Sequence, residues 1–139
     1  MFLDDLDNDF LGDDESGQSA AQWVARTQRD VSAWAAEALV NRHPDVVSYR
    51  GKKGLLACRQ DLEFHLAHLQ TSLASDDADA MVTYARWIAA VVSQRGMTPR
   101  MLRLGVDVLA EGLLRFLPWP HGTRAVDSLL AGFTAAPSA

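Results

Sequence analysis

Four side chains suited to chemistry, Cys58, Asp61, His65 and His68, fall in one stretch whose leucine spacing predicts a helix. At about 100° per residue they occupy an arc of roughly 80°, along one edge of that helix. Thiolate, carboxylate and imidazole can ligate a transition metal or the axial position of a macrocycle. Cys58, His65 and His68 therefore form the candidate ligand set of a metal or tetrapyrrole sensor, haem or cobalamin-like. The same residues have a plainer reading. A buried histidine commonly hydrogen-bonds a facing side chain, and cysteine packs as a small hydrophobe. Asp61 beside an apolar seam needs a partner, because an unpaired buried carboxylate is costly; Arg86, Arg59 and Lys53 are candidates. No Gly-x-Ser-x-Gly turn, no Ser–His–Asp order and no identifiable carboxylate pair is present. The expectation is a non-enzyme without a cofactor.

The elements that must position these residues read as helices. Ser19 to Gln22 has the form of a capping box, followed by Val24, Thr27, Val31, Trp34, Ala35 and Ala38 at spacings of three and four. His43-Pro44 ends that helix, since the residue before proline disfavours α geometry. Residues 44–54 are predicted to be an irregular connection. A second helix carries Leu55, Leu62, Leu66, Leu69 and Leu73. Ser75-Asp76-Asp77 supplies the next N-cap, and Met81, Tyr84, Ile88 and Val91 the buried stripe that follows. Gly96 stands at the C′ position, and Thr98-Pro99 pairs a capping hydroxyl with proline at N1. A fourth stripe, Leu102, Val106, Leu109, Leu113 and Phe116, stops at Pro118 and Pro120. Residues 123–134 read as a short fifth helix presenting Val126, Leu129, Leu130 and Phe133. Trp119, between two prolines, is placed across the bundle end, and Trp87 in the core or an interface. With no hairpin signal, the predicted fold is all-α, an antiparallel bundle of four to five helices.

The 139 residues suffice for one domain with a substantial core, and a hydrophobic content of 48% excludes a wholly disordered chain. No apolar run approaches the ~18 residues a membrane span needs, so no membrane contact is expected. The first residues lack the basic and apolar regions of a signal peptide, which points to the cytoplasm. The single Cys58 excludes an internal disulfide and a multi-cysteine metal site.

The net charge of −5 is unevenly spread. Residues 1–15 hold seven acids and no base, leaving residues 16–139 at +2. Repulsion among the carboxylates predicts an acidic N-terminal tail that is disordered when free, ahead of a helical domain over 16–139. The tail also carries Phe2, Leu3, Leu6, Phe10 and Leu11, which share one face if the segment is helical. A solubilising tail has no need of five large apolar residues. They suggest a docking peptide for a basic, apolar groove, on this protein or on a partner. Arg50, Lys52 and Lys53, with Arg59 nearby, are one receiving surface; Arg95, Arg100 and Arg103 form a second basic group. The GKKG loop is not a phosphate-binding P-loop, because the spacing and the preceding strand are missing. No nucleic-acid partner is expected, as the body is only mildly basic and the tail would repel phosphate.

The stretch CRQDLEFHLAHLQTSL, then YARWIAAVVSQRGMTPRMLRLGVDVLAEGL, resembles the helical segment preceding the cobalamin-binding domain of some bacterial B12-binding regulators. Its distinctive residues are Cys58, Asp61, Phe64, His65 and Leu66, then Tyr84, Trp87, Arg95 and Gly96. In that family a Rossmann-like domain normally follows and supplies the cobalt-ligating histidine; these 139 residues hold no such domain. Light-sensing members carry a Glu-His pair where Glu111 is here followed by Gly112. The resemblance thus implies a helical sensor or adaptor module more than a cofactor site. Together these readings predict a non-catalytic regulatory or assembly subunit that binds another protein and can self-associate across a two-fold axis.

Overall fold

A computed structural model describes residues 13–48 and 51–135, and these are helical almost throughout, with no strand. Six α-helices follow in order: α1 (Asp13–Arg42), α2 (Pro44–Ser48), α3 (Gly54–Ser75), α4 (Ala78–Gln94), α5 (Pro99–Phe116) and α6 (His121–Ala135). A 3-10 turn, Gly51–Lys53, leads into α3.

Where local chemistry dictates an end, the helix ends there. His43 separates α1 from α2, and Pro44 opens α2 at a position where its missing N–H costs nothing. The Asp77 carboxylate accepts from the Ala80 N–H at the start of α4. The Thr98 hydroxyl does the same for Met101 at the start of α5. Gly96, at φ 92°, takes the left-handed turn that closes α4, with the Met97 N–H bonded back to the Val92 carbonyl. Two expectations are corrected. The first helix starts at Asp13, within the acidic run and six residues before Ser19, because Ser and Gly between them weaken a helix without breaking it. The rest of the expected disordered tail, residues 1–12, lies outside the described residues. The described residues of 44–54 are not irregular: Pro44–Ser48 form α2, which buries Val46 and Val47, and Gly51–Lys53 form the 3-10 turn.

The 30-residue α1 is the spine, roughly 45 Å long at about 1.5 Å per residue. It packs most extensively on α3, then on α5, and also touches α6. Its buried stripe is rich in small residues (Ala20, Ala21, Ala35 and Ala36), so neighbouring helices approach closely. Val24, Val31, Leu39, Leu66, Leu69, Met81, Leu109, Leu113 and Leu129 fill the centre. Each such side chain, fully buried, stabilises by about 1.5–3 kcal/mol. Helix α4 rests chiefly on α6, meets α3 over a shorter stretch, and barely touches α5. That thin α4–α5 contact leaves a trough on the surface. Three expected core positions are instead exposed, Leu55, Phe116 and Leu130, and Trp87, placed in the core or an interface, is exposed as well. Trp119 lies in the turn between α5 and α6 but is 84% exposed, so it projects from the bundle end instead of lying across it.

Candidate functional site

The edge of α3 that gathers Cys58, Asp61, His65 and His68 is split by its neighbours. Cys58, Asp61 and His65 line a cavity of about 20 Å³ closed by Leu39, Met97, Met101 and Leu102, on the scale of a single water molecule. His68 turns the other way. Its Nδ1–H donates to the Phe64 carbonyl one turn back, at 3.1 Å, and its ring stacks on Tyr84 with centroids 4.0 Å apart. Among the described residues, no group of three His, Cys, Asp or Glu side chains is placed to hold a metal ion. Cys58, His65 and His68 therefore do not form a three-residue metal group. Arg59 pairs with Glu63, its own i+4 neighbour, at 3.5 Å.

His65 is 3% exposed, and its Nδ1 shares a hydrogen bond with the Tyr84 hydroxyl of α4. Burial, reinforced by the charge of His68, pushes the His65 imidazole down to about 4. Burial also raises the Tyr84 phenol, with the Asp61 carboxylate adding to the shift. Near neutral pH the pair is consequently a neutral imidazole and a protonated phenol, joined away from water. Neither group changes protonation in the range where a general base must, which suits a joint between helices. The Phe133 ring of α6 meets His65 edge-on with centroids 5.6 Å apart, so three helices converge on this pair.

Outside the joint, the rings continue to the surface. Phe64 lies against His68, Tyr84 and Trp87, with centroids 4.6, 5.9 and 6.0 Å away. Phe64 is 44% and Trp87 52% exposed, so one side of this cluster faces solvent over the short α3–α4 contact. The sequence left Trp87 to the core or an interface; its exposure goes with the short contact between α3 and α4, which periodicity does not encode.

A second surface feature is the trough between α4 and α5, about 360 Å³ in volume. Ala85, Ala89, Val92 and Val106 form its floor and walls, and Leu130 and Phe133 of α6 contribute to its lining. Arg100, Arg103 and Asp107 stand on the α5 side. The basic group containing Arg100 and Arg103 was visible in the sequence; the apolar trough beside it was not. Arg100 also pairs with Asp45 of α2 at 3.1 Å, which ties α2 to the start of α5. Of the expected docking residues, Lys53 is exposed in the 3-10 turn that also contains Lys52. Phe2, Leu3, Leu6, Phe10, Leu11 and Arg50 lie outside the described residues.

No protein-family model, curated protein or solved structure matches the chain. Among the described residues, no helix is long and apolar enough to cross a membrane.

Proposed function

We propose that this chain is a non-catalytic helical adaptor or assembly subunit that acts by protein–protein contact, with its acidic, apolar N-terminal segment as a docking peptide. The observation that carries the reading is the half-exposed aromatic face of Phe64 and Trp87. Phe64 packs on His68 and Tyr84, and Trp87 on Tyr84 and Phe64, so little side-chain freedom is lost when a partner covers them. Tryptophan and other aromatics anchored in this way dominate binding energy at protein interfaces. The His65–Tyr84 joint supports the same reading, because it fixes α3 to α4 directly beneath the face. The helical module implied by the resemblance to B12-binding regulators agrees with it.

Capture experiments with the full chain, scored by quantitative mass spectrometry, test the proposal. A partner retained by the wild type should be lost with Trp87→Ala and Phe64→Ser, while circular dichroism stays unchanged. Identical retention by all three folded proteins would refute it.

A further inference from the structure

The trough between α4 and α5 and the N-terminal segment are complementary in three respects, and together these indicate what fills the trough.

The first is polarity. The trough has an apolar floor of Ala85, Val92 and Val106, with Leu130 and Phe133 completing it. Leu130 stands exposed on its edge, although it belongs to an otherwise buried helical stripe. In helical form, Phe2, Leu3, Leu6 and Phe10 fall within an arc of roughly 100°, a single apolar ridge.

The second is charge. Asp4, Asp5, Asp7 and Asp9 are the only charged side chains in residues 1–12. Around the helix they lie off that ridge, where they would meet the walls of a groove. Arg103 stands on the trough's α5 side beside Arg100, which already pairs with Asp45, and Arg95 is exposed at the end of α4; Asp107 is the one acid among the described lining residues.

The third is length. From Phe2 to Phe10 a helix rises about 12 Å. The stretch of α4 that borders the trough, from Ala85 to Ser93, spans the same number of residues and so rises by the same amount.

With residues 2–11 in helical form, the chain's own trough would be out of reach of this ridge. The Gln18 amide donates to the Ala74 carbonyl, so α1 passes the α3–α4 junction at residue 18. Residues 13–17 of α1 lead further from that junction, past the end of α3. Five helical residues add about 7 Å. The trough begins at Ala85 and extends toward the far end of the 17-residue α4. A helical segment over 2–11 would have only Gly12 with which to turn back and cover that distance.

We infer that the α4–α5 trough is the docking site for residues 1–12 of a second copy of this chain, each copy inserting its N-terminal segment into the other's trough to close a two-fold dimer. The inference rests on reading the N-terminal segment as a docking peptide, and it names the partner for that segment. A reciprocal exchange satisfies both troughs and both segments and leaves no open end for further growth. Contact between the Asp side chains and the arginine rim is exposed to solvent, so raised salt should loosen the dimer.

Sedimentation velocity on the full chain tests this, using wild type, a chain lacking residues 1–12, Arg103→Glu and Ala89→Trp. Arg103 is exposed, and Ala89 lies at the trough with its side chain partly open, so both variants should keep the wild-type circular dichroism. The wild type should sediment as a dimer and the truncated chain as a monomer. Arg103→Glu should weaken association about tenfold, on the scale of a lost rim ion pair replaced by like charge. Ala89→Trp, which fills the trough, should be monomeric. A fluorescent peptide of residues 1–12 should bind the truncated chain and fail to bind the truncated chain carrying Ala89→Trp. A dimer that survives truncation overturns the inference, as does a monomeric wild type whose truncated form still binds the peptide, which would mean occupation within one chain. Failure of the peptide to bind at all overturns it too. The aromatic face is read separately, by partner capture with Trp87→Ala, so loss of the dimer model and loss of the adaptor reading are distinguishable.

Discussion

His65 folds only by giving up its charge, and that has a measurable consequence. In the unfolded chain its imidazole titrates near 6.5; in the core it is held down to about 4. Between those values the unfolded chain binds a proton that the folded chain does not, so stability falls as pH is lowered. The contribution is intact above about pH 6.5 and is lost progressively down to about pH 4. At ~1.4 kcal/mol per unit it reaches about 3 kcal/mol. Carboxylates titrate over part of the same range, so the informative quantity is a difference between proteins. Urea titrations across this window should show a steeper loss for wild type than for His65→Gln, which keeps a group able to bond the Tyr84 hydroxyl. Parallel curves would show that His65 is not held neutral. Tyr84→Phe probes the other half of the joint. It removes the hydroxyl that partners His65 Nδ1. The variant should lose about 1–3 kcal/mol at neutral pH, the penalty of a buried polar atom left unsatisfied.

Element boundaries and helix crossings turn on a few backbone positions, and the glycines separate them sharply. A Cβ at Gly54 would drive far inside van der Waals contact with the Val47 carbonyl oxygen, which is backbone and cannot move aside alone. Gly54→Ala should pry α2 from α3 and destabilise by about 1–3 kcal/mol. In α5 a Cβ at Gly105 would meet only Leu62 Cδ2, at an ordinary 3.6 Å, and it borders the small cavity beside His65. Gly105→Ala should therefore stabilise by roughly 0.5–1 kcal/mol, the helix-interior preference for alanine over glycine. Denaturant unfolding of the two variants should move the midpoint in opposite directions. The same division explains what the sequence revealed. Asp77, Gly96 and Thr98-Pro99 act on their own next turn, so their effects could be read locally and stand as expected. Pro44-Asp45 carries an equally local start signal for α2, but Val46 and Val47 obscured it because β-branched pairs read poorly as helix. Ser19 to Gln22 misled for the converse reason, a capping pattern lying inside a longer helix. The arc of Cys58, Asp61 and His65 followed from periodicity alone, and the three do line one cavity. Tyr84 as the partner of His65, the solvent-facing side of Trp87 and the trough beside Leu130 depend on how α4 crosses its neighbours, which no local pattern specifies.

At the scale of the molecule, that crossing also makes the packing uneven. Helix α1 is held by α3, α5 and α6, whereas α4 depends mainly on α6. Between α4 and α6 the approach is close, with Gly132 directly against Met81, where a Cβ would lie 2.5 Å from Met81 Cγ. The α3 side is joined through the aromatic cluster and the His65–Tyr84 bond, and the α5 side is the trough itself. Local opening takes its free energy from the contacts that must break, so segments with few packed neighbours open below the global unfolding free energy. The half of α4 from Ala85 to Gln94 borders the trough and lies beyond the Met81–Gly132 crossing. Native-state hydrogen exchange should accordingly find its amides opening at lower free energy than those of α1 between Val24 and Leu39, which approach the global value. Tyr84→Phe should widen the difference, because it releases α4 from α3 while leaving the α1–α3 packing in place. Equal protection in the two segments would mean that α4 is held as firmly as the spine, and that the trough is a rigid surface instead of one bordered by a helix that opens more readily than α1.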